Sequence, residues 1–386
     1  MAKRKTTAAP TRGYSTYVWM LLTAISGGGI GGHFNPEWPV VGPLMQRIYA
    51  IVSTSTPENP ATLQDIAEAF REETAIASGD LRSFPAGYPP NPYAPGGQGG
   101  VSPVNTTQLA SSRRPPDRIL IATFNIQVFG QSKLEKPEVV RVLADVVRQF
   151  DIVAIQEVRA KSDDILPRFL AAINADGSRY DFIIGPRIGR TVSTEQYAYV
   201  FDTTRVEYNP QQVGTLSDPE DRLHREPYVA RFRAKSQSPA QAFTFWLVAI
   251  HTDPDEVRSE VDALADVFRL MQSATSDEDD VILLGDLNAS ESQMGTLGRL
   301  PGISWVVSGA MTNTRKNKAY DNIIFARPQT SEYTGRWGVF DLTEVYGLSQ
   351  EQALTVSDHF PVWAEFSVWE TPPNQRFTQT ATPPIR

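Results

Sequence analysis

A chain of 386 residues with 41% hydrophobic content is long enough to bury a large core, in one large domain or two. It contains no cysteine, which excludes disulfides, thiol catalysis and thiolate metal sites, and only four histidines, so each can be asked for a role. The formal net charge is −8, and residues 1–116 hold nine Lys+Arg against seven Asp+Glu, which leaves 27 against 37, or −10, for the remainder. Bulk charge therefore excludes electrostatic capture of a polyanion, which would need bound cations and a few well-placed arginines.

Residues 1–36 start with Lys3, Arg4, Lys5 and Arg12 and continue without charge from Gly13 to Pro36, around an apolar centre at Tyr17–Ile25. A basic start, a short apolar run and then small residues is the pattern of a secretory signal, with a cleavage site at Ala24-Ile25-Ser26. Uncleaved, the same run becomes a membrane anchor; both readings predict an extracytoplasmic protein, secreted or anchored. A buried N-terminal hairpin or helix in a cytoplasmic chain is the alternative. Gly27, Gly29 and Gly32 fit GxGxxG, but no strand-turn-helix unit surrounds them, so they mark no nucleotide site.

Residues 37–116 contain a predicted amphipathic helix, ATLQDIAEAFREETAIA, with Leu63, Ile66, Ala67 and Phe70 on one face and Thr62 and Asp65 capping its start. Phe84–Pro116 is rich in proline and glycine and reads as a linker. No protein partner is legible, and a monomer is expected.

The ordered part opens at Asp117. RILIATFNIQVFG predicts a strand that brings Asn125 and Gln127 to one face, and Lys136–Phe150 has helical spacing with Val139, Val142, Leu143, Val146 and Val147 as its apolar stripe. DIVAIQEV predicts a second buried strand ending in Glu157, with Arg159 two residues on and on the same side. EQYAYVFD brings Glu195 into a strand, REPYVARFR brings Arg225 into another, and FTFWLVAIH runs a core strand into His251. VILLGDLNAS then supplies four apolar residues without alternation, a glycine where the backbone turns as the strand emerges, and Asp286 and Asn288 beyond it. A period of two aims Asp286 and Asn288 to one side and Leu287 into the core; a carboxylate and an amide oxygen suit Mg²⁺ or Ca²⁺ rather than zinc. An Asx turn after a core strand is the alternative for that pair. AYDNIIFA places Asp321 at a strand start, and SDHFPVWAEF places Asp358 and His359 before the last strand.

Singly, each of these groups reads as a core-edge histidine, a turn residue or a surface ion pair. Their scatter over so many strand ends makes sense when the ends converge on one rim of a layered α/β sandwich, because loops on a rigid scaffold carry such groups.

FNIQVFG, QEVR, EQY, REP, the IH of VAIH, GDLNA, AYD, YGLS and SDHFPV, in this order, resemble the endonuclease/exonuclease/phosphatase superfamily and its deoxyribonuclease I-like branch, over residues 117–368. The resemblance implies an α/β (α+β) four-layer sandwich, two packed mixed β-sheets flanked by helices, with residues 369–386 as a flexible tail. It implies hydrolysis of double-stranded DNA to 5′-phosphate and 3′-hydroxyl ends with Mg²⁺, Mn²⁺ or Ca²⁺ being alternatives. Asn125 and Glu157 would hold one Mg²⁺, with Asp286, Asn288 and Asp358 around the same centre. His251 would be oriented by Glu195 and His359 by Asp321. Arg225 would grip the scissile phosphate, Asn288 and Gln127 would also meet substrate, and Arg159 would lie along the minor groove.

Elementary chemistry points the same way. The anionic oxygens of a phosphodiester repel a nucleophile, so its hydrolysis needs cations, a base for the attacking water and an acid for the leaving oxygen. We assign His359 as base and His251 as acid. The chain also departs from the branch: Gln127 stands where an arginine is expected, Ser193 where a tyrosine stacks in the minor groove, and Lys318 where a disulfide cysteine is expected. These changes predict a weaker grip on DNA with the metal site intact. A hydrolase of lipid or sugar phosphates, and a non-catalytic binding module, are the alternatives.

Overall fold

The computed structural model describes residues 114–190, 194–236 and 238–371. The N-terminal hydrophobic run, the helix predicted within residues 37–116, Ser193 and residues 372–386 lie outside the described residues. Every element below falls in one of the two compact units into which the chain divides.

Twelve strands among the described residues form two six-stranded sheets. The first sheet takes the order β11 (Tyr333–Val339), β12 (Val362–Ser367), β1 (Arg118–Phe129), β2 (Ile152–Val158), β4 (Gln196–Asp202), β3 (Tyr180–Ile184). The second runs β5 (Val206–Thr215), β6 (Tyr228–Ala234), β7 (Thr244–His251), β8 (Val281–Asp286), β10 (Asp321–Ala326), β9 (Ile303–Trp305). Both are mixed, since β1 is parallel to β2 but antiparallel to β12, and β7 is parallel to β8 while β8 is antiparallel to β10.

Alternation along β1 shows why its sequence reads as one apolar run. Ile119 and Ile121 enter the core between the sheets, with Phe232, Phe245, Leu247, Leu284 and Phe366 from both of them. Leu120, Ala122 and Phe124 enter a second core, against the helices α2 (Pro137–Val147), α3 (Ile165–Ile173) and α6 (Gln350–Val356). A strand buried on both faces has no use for polar alternation. On the far side α4 (Val257–Ser273) buries Val261, Leu264, Ala265 and Phe268 and packs on β8. The four layers expected from the sequence are therefore present, with two short helices, α1 (Gln131–Leu134) and α5 (Leu342–Tyr346), completing the set.

Two boundaries differ from the expectation. Arg114, placed in the linker by composition, bonds the carboxylates of Asp151 and Asp202 at 2.7 Å each. Asp151 is fully buried, and a buried carboxylate requires such a partner. At the other end Trp369 pairs with Ala242 and the Glu370 N–H donates to the Gln241 carbonyl, so the first residues of the expected tail belong to the fold.

Candidate active site

The register of the second sheet sets the frame of the site. His251 pairs with Asp286 across β7 and β8, and Asp286 pairs with Asp321 across β8 and β10, so three chemical groups stand side by side at one level. Asn125, Glu157, Glu195 and His359 arrive from the first sheet and its loops.

Asp286 lies at the centre, and its two oxygens have different duties. Oδ1 accepts the Asn288 N–H at 2.8 Å, which is the Asx turn weighed above. Oδ2 accepts from Asn125 Nδ2 at 3.0 Å and lies 3.6 Å from Nε2 of both His251 and His359. The turn and the chemistry thus coexist on one side chain. Asn288 has left the strand, with φ 47°, and its amide donates to the Thr252 carbonyl at 2.9 Å; its place in the site comes from this bond rather than from a period of two.

Each histidine is backed by a carboxylate. His251 Nδ1 donates to Glu195 Oε1 at 2.8 Å, and His359 Nδ1 donates to Asp321 Oδ2 at 2.8 Å. This fixes the tautomer and leaves each Nε2 facing Asp286. Burial opposes a charge on either ring, but Glu195 and Asp286 outweigh it and raise His251, while Asp321 and Asp286 raise His359 well above the ordinary value. Burial also disfavours the charge on Asp286, yet His359 and His251 hold it below the usual carboxylate range.

Glu195 also gathers both arginines. Its Oε2 lies 3.1 Å from Arg159 Nη2 and 3.2 Å from Arg225 Nε, and Arg225 Nη1 donates to the His251 carbonyl at 3.2 Å. Arg159 also lies 3.4 Å from Glu157, so it is drawn into the site's carboxylates rather than extended along a surface. Burial opposes ionisation of Glu195, but His251, Arg225 and Arg159 overcome it and pull its pKa down to about 2. A depressed carboxyl contributes stability above its ordinary value, 4.5, which is lost as pH falls toward 2. Glu195→Gln is accordingly expected to lower the urea midpoint fully at neutral pH, with the gap from wild type closing between these two values. A gap independent of pH would refute the linkage.

Two of the expected metal ligands, Asn125 and Glu157, meet on the first sheet. Asn125 Nδ2 donates to Glu157 Oε1 at 3.3 Å, and Glu157 Oε2 accepts the Val128 N–H at 2.8 Å. Asn125 Oδ1 is buried and has no hydrogen-bond partner. A buried amide oxygen left without a donor beside a carboxylate fits a hard divalent cation. One ligand atom from each of Asp286, Asp321 and His359 also lies within 4.8 Å of the others. Asp358 accepts from Gln127 Nε2 at 2.9 Å, so Gln127 is turned inward.

Several supporting residues were not visible in the sequence. Thr312 Oγ1 donates to Asp321 Oδ2 at 2.7 Å, and Tyr320 stacks on the His359 ring at 6.1 Å. Ser357 Oγ donates to the Asn125 carbonyl at 2.7 Å and accepts the Gln127 N–H at 3.1 Å, tying β1 to the histidine segment. Lys133 Nζ donates to the Val356 carbonyl at 2.5 Å, at the end of α6. Glu260 receives the N–H groups of His224 and Asp253, the loops that carry Arg225 and follow His251. Only Glu260 had a signal, a carboxylate on the buried face of an amphipathic helix.

The model of the endonuclease/exonuclease/phosphatase family matches residues 122–379. The chain belongs to the endonuclease/exonuclease/phosphatase family. Within the family it is similar to deoxyribonuclease-1 of Bos taurus, 33% identical over 258 residues, covering 63% of this chain and 90% of the relative. Deoxyribonuclease gamma of Mus musculus is 32% identical over 264 residues, covering 63% and 82%. Deoxyribonuclease-1-like 1 of Cricetulus griseus is 34% identical over 261 residues, covering 64% and 83%. This member of the family is a DNase I-like phosphodiesterase, a hydrolase.

Proposed function

We propose that the chain is an endonuclease that hydrolyses double-stranded DNA to 5′-phosphate and 3′-hydroxyl ends with a divalent cation, Mg²⁺ by the hardness of its ligands. The observation that carries this reading is the convergence of two carboxylate-backed imidazoles on one aspartate oxygen. A phosphodiester needs a proton acceptor for the attacking water and a proton donor for the leaving oxygen, and an imidazole can serve as either.

Asn125 and Glu157 would hold the cation, with Asp286, Asn288 and Asp358 around the same centre; when bound, it neutralises charge building on the phosphoryl oxygens. Arg225, anchored by Glu195 and the His251 carbonyl, grips the scissile phosphate. His359, backed by Asp321, takes the proton of the attacking water through Nε2. His251, backed by Glu195, gives a proton to the leaving oxygen. Asp286 keeps both rings facing the reacting phosphorus. The relatives named for deoxyribonuclease activity support DNA as substrate, and so does the set of filled positions.

The basic and apolar start of the sequence supports an extracytoplasmic site of action, secreted or anchored at Tyr17–Ile25. No helix among the described residues is long and apolar enough to cross a membrane.

The test is incubation of the purified full chain with supercoiled plasmid and Mg²⁺. Nicking that disappears with EDTA establishes the reading. Intact plasmid alongside hydrolysis of bis-p-nitrophenyl phosphate would retain the chemistry and remove DNA as substrate.

A further inference from the structure

Among the described residues three large hydrophobic side chains are exposed: Val128 at 49%, Met311 at 46% and Trp369 at 37%. Two of them adjoin the catalytic centre in sequence. Val128 follows Gln127, which holds Asp358, and Met311 precedes Thr312, which holds Asp321.

Val128 is also conformationally unusual. Its φ is 47°, a left-handed value that a β-branched residue avoids. Two features enforce it: the Val128 N–H donates to Glu157 Oε2 at 2.8 Å, and β1 changes register against β2 between Asn125 and Phe129. Its neighbours Ile126 and Phe129 are fully buried, so the core does not require an isopropyl group at position 128. Strained residues held in place by their surroundings cluster where a ligand is met. At the same lip Gln127, expected to touch substrate, is turned onto Asp358. The strand therefore presents an apolar side chain outward at Val128, one residue beyond the polar contact expected at Gln127.

We propose that Val128 is a wedge that packs against the deoxyribose and base edges of the nucleotides flanking the scissile phosphate. This rests on the reading of the chain as a nuclease acting on DNA. A phosphate brought to Asn125 and Glu157 carries its sugars past the adjoining residue of β1. Sugar C–H faces and base edges are the apolar surface that a nucleic acid offers, and apolar side chains press against them in grooves. Such a contact adds affinity without charge, which suits a segment that carries −10 outside residues 1–116.

The experiment compares the full chain with Val128→Asn and Val128→Leu on a short DNA duplex. Asparagine accepts the left-handed φ and is similar in size, so the fold is retained. Val128→Asn is expected to raise KM about five- to ten-fold with kcat changed by less than about two-fold, as fits the loss of one apolar contact. The factor should be the same at low and near-physiological salt, because no counter-ion is released by an uncharged contact. Val128→Leu should stay within about two-fold of the wild-type KM, having kept the apolar bulk. If Val128→Asn unfolds early on heating, Val128→Gly carries the same KM expectation.

An unchanged KM in a wild type that cuts DNA overturns the wedge and leaves the nuclease reading in place. A fall in kcat at constant KM also overturns it, since the residue would then act only by holding Glu157. A wild type that hydrolyses bis-p-nitrophenyl phosphate but not DNA overturns the nuclease reading itself.

Discussion

His251→Ala and His359→Ala are each expected to lower kcat for DNA cleavage by about 10²- to 10⁴-fold, the range for loss of a positioned acid or base. KM should move little, because Arg225 and the proposed cation ligands Asn125 and Glu157 remain. The double variant should be no more than about ten-fold worse than either single one, since groups acting in one proton-transfer unit are strongly non-additive. The geometry supplies the reason. Both Nε2 atoms lie 3.6 Å from the same Asp286 oxygen, so removal of either ring disables the exchange that the other serves. Single-turnover rates on plasmid with each variant provide the check. Fully multiplicative losses would show two independent sites of action and contradict a shared centre.

Gly285→Ala is expected to be the most damaging small change in the second sheet. Gly285 has φ 152° and pairs with Ile250 across β7 and β8. A Cβ there would stand 1.9 Å from the Ile250 carbonyl oxygen, which is backbone and has no rotamer with which to yield. The strands must separate or the chain must refold locally, at a cost of about 4 kcal/mol or more. His251 is the next residue on β7 and Asp286 the next on β8, so the displacement reaches this proposed catalytic pair at once. Thermal unfolding followed by circular dichroism should show a fall in Tm of about ten degrees or more, or no folded protein at all. A variant with wild-type Tm and activity would show that the close approach is not a real constraint. The sequence suggested a turn at this glycine as the strand emerges. The structure places Gly285 within β8, where the missing side chain is needed for strand contact.

Much of the fold was legible because burial on both faces leaves a recognisable trace. The apolar runs of β1, β2, β7 and β8 announce central strands, and the polar groups at their ends announce a rim. What periodicity could not deliver is the direction of the side chains once regular backbone ends. Glu157, Asn288 and Val128 all have positive φ, at 61°, 47° and 47°. A left-handed residue breaks the count of two, so beyond it a shared side has to come from tertiary contacts. Arg159 does stand beside Glu157, as expected, but through ion pairs with it and with Glu195. Tertiary bonds impose these conformations, such as that from the Val128 N–H to Glu157, and these bonds join residues far apart in sequence. The Thr312 and Ser357 hydroxyls were hidden for the same reason, since neither lies in a pattern that a single chain segment can display.

The two histidine pairs cross the sandwich in opposite senses. Glu195 enters β4 of the first sheet and meets His251 of the second, whereas Asp321 of the second meets His359, which leads into β12 of the first. Asn125 and Asp286 form a third stitch between the same plates. Under the proposed mechanism, catalytic competence is therefore a gauge of the spacing between the two sheets. A slight parting of the plates, too small to melt any strand, would open all three stitches together, and the enzyme would fall silent while still looking folded.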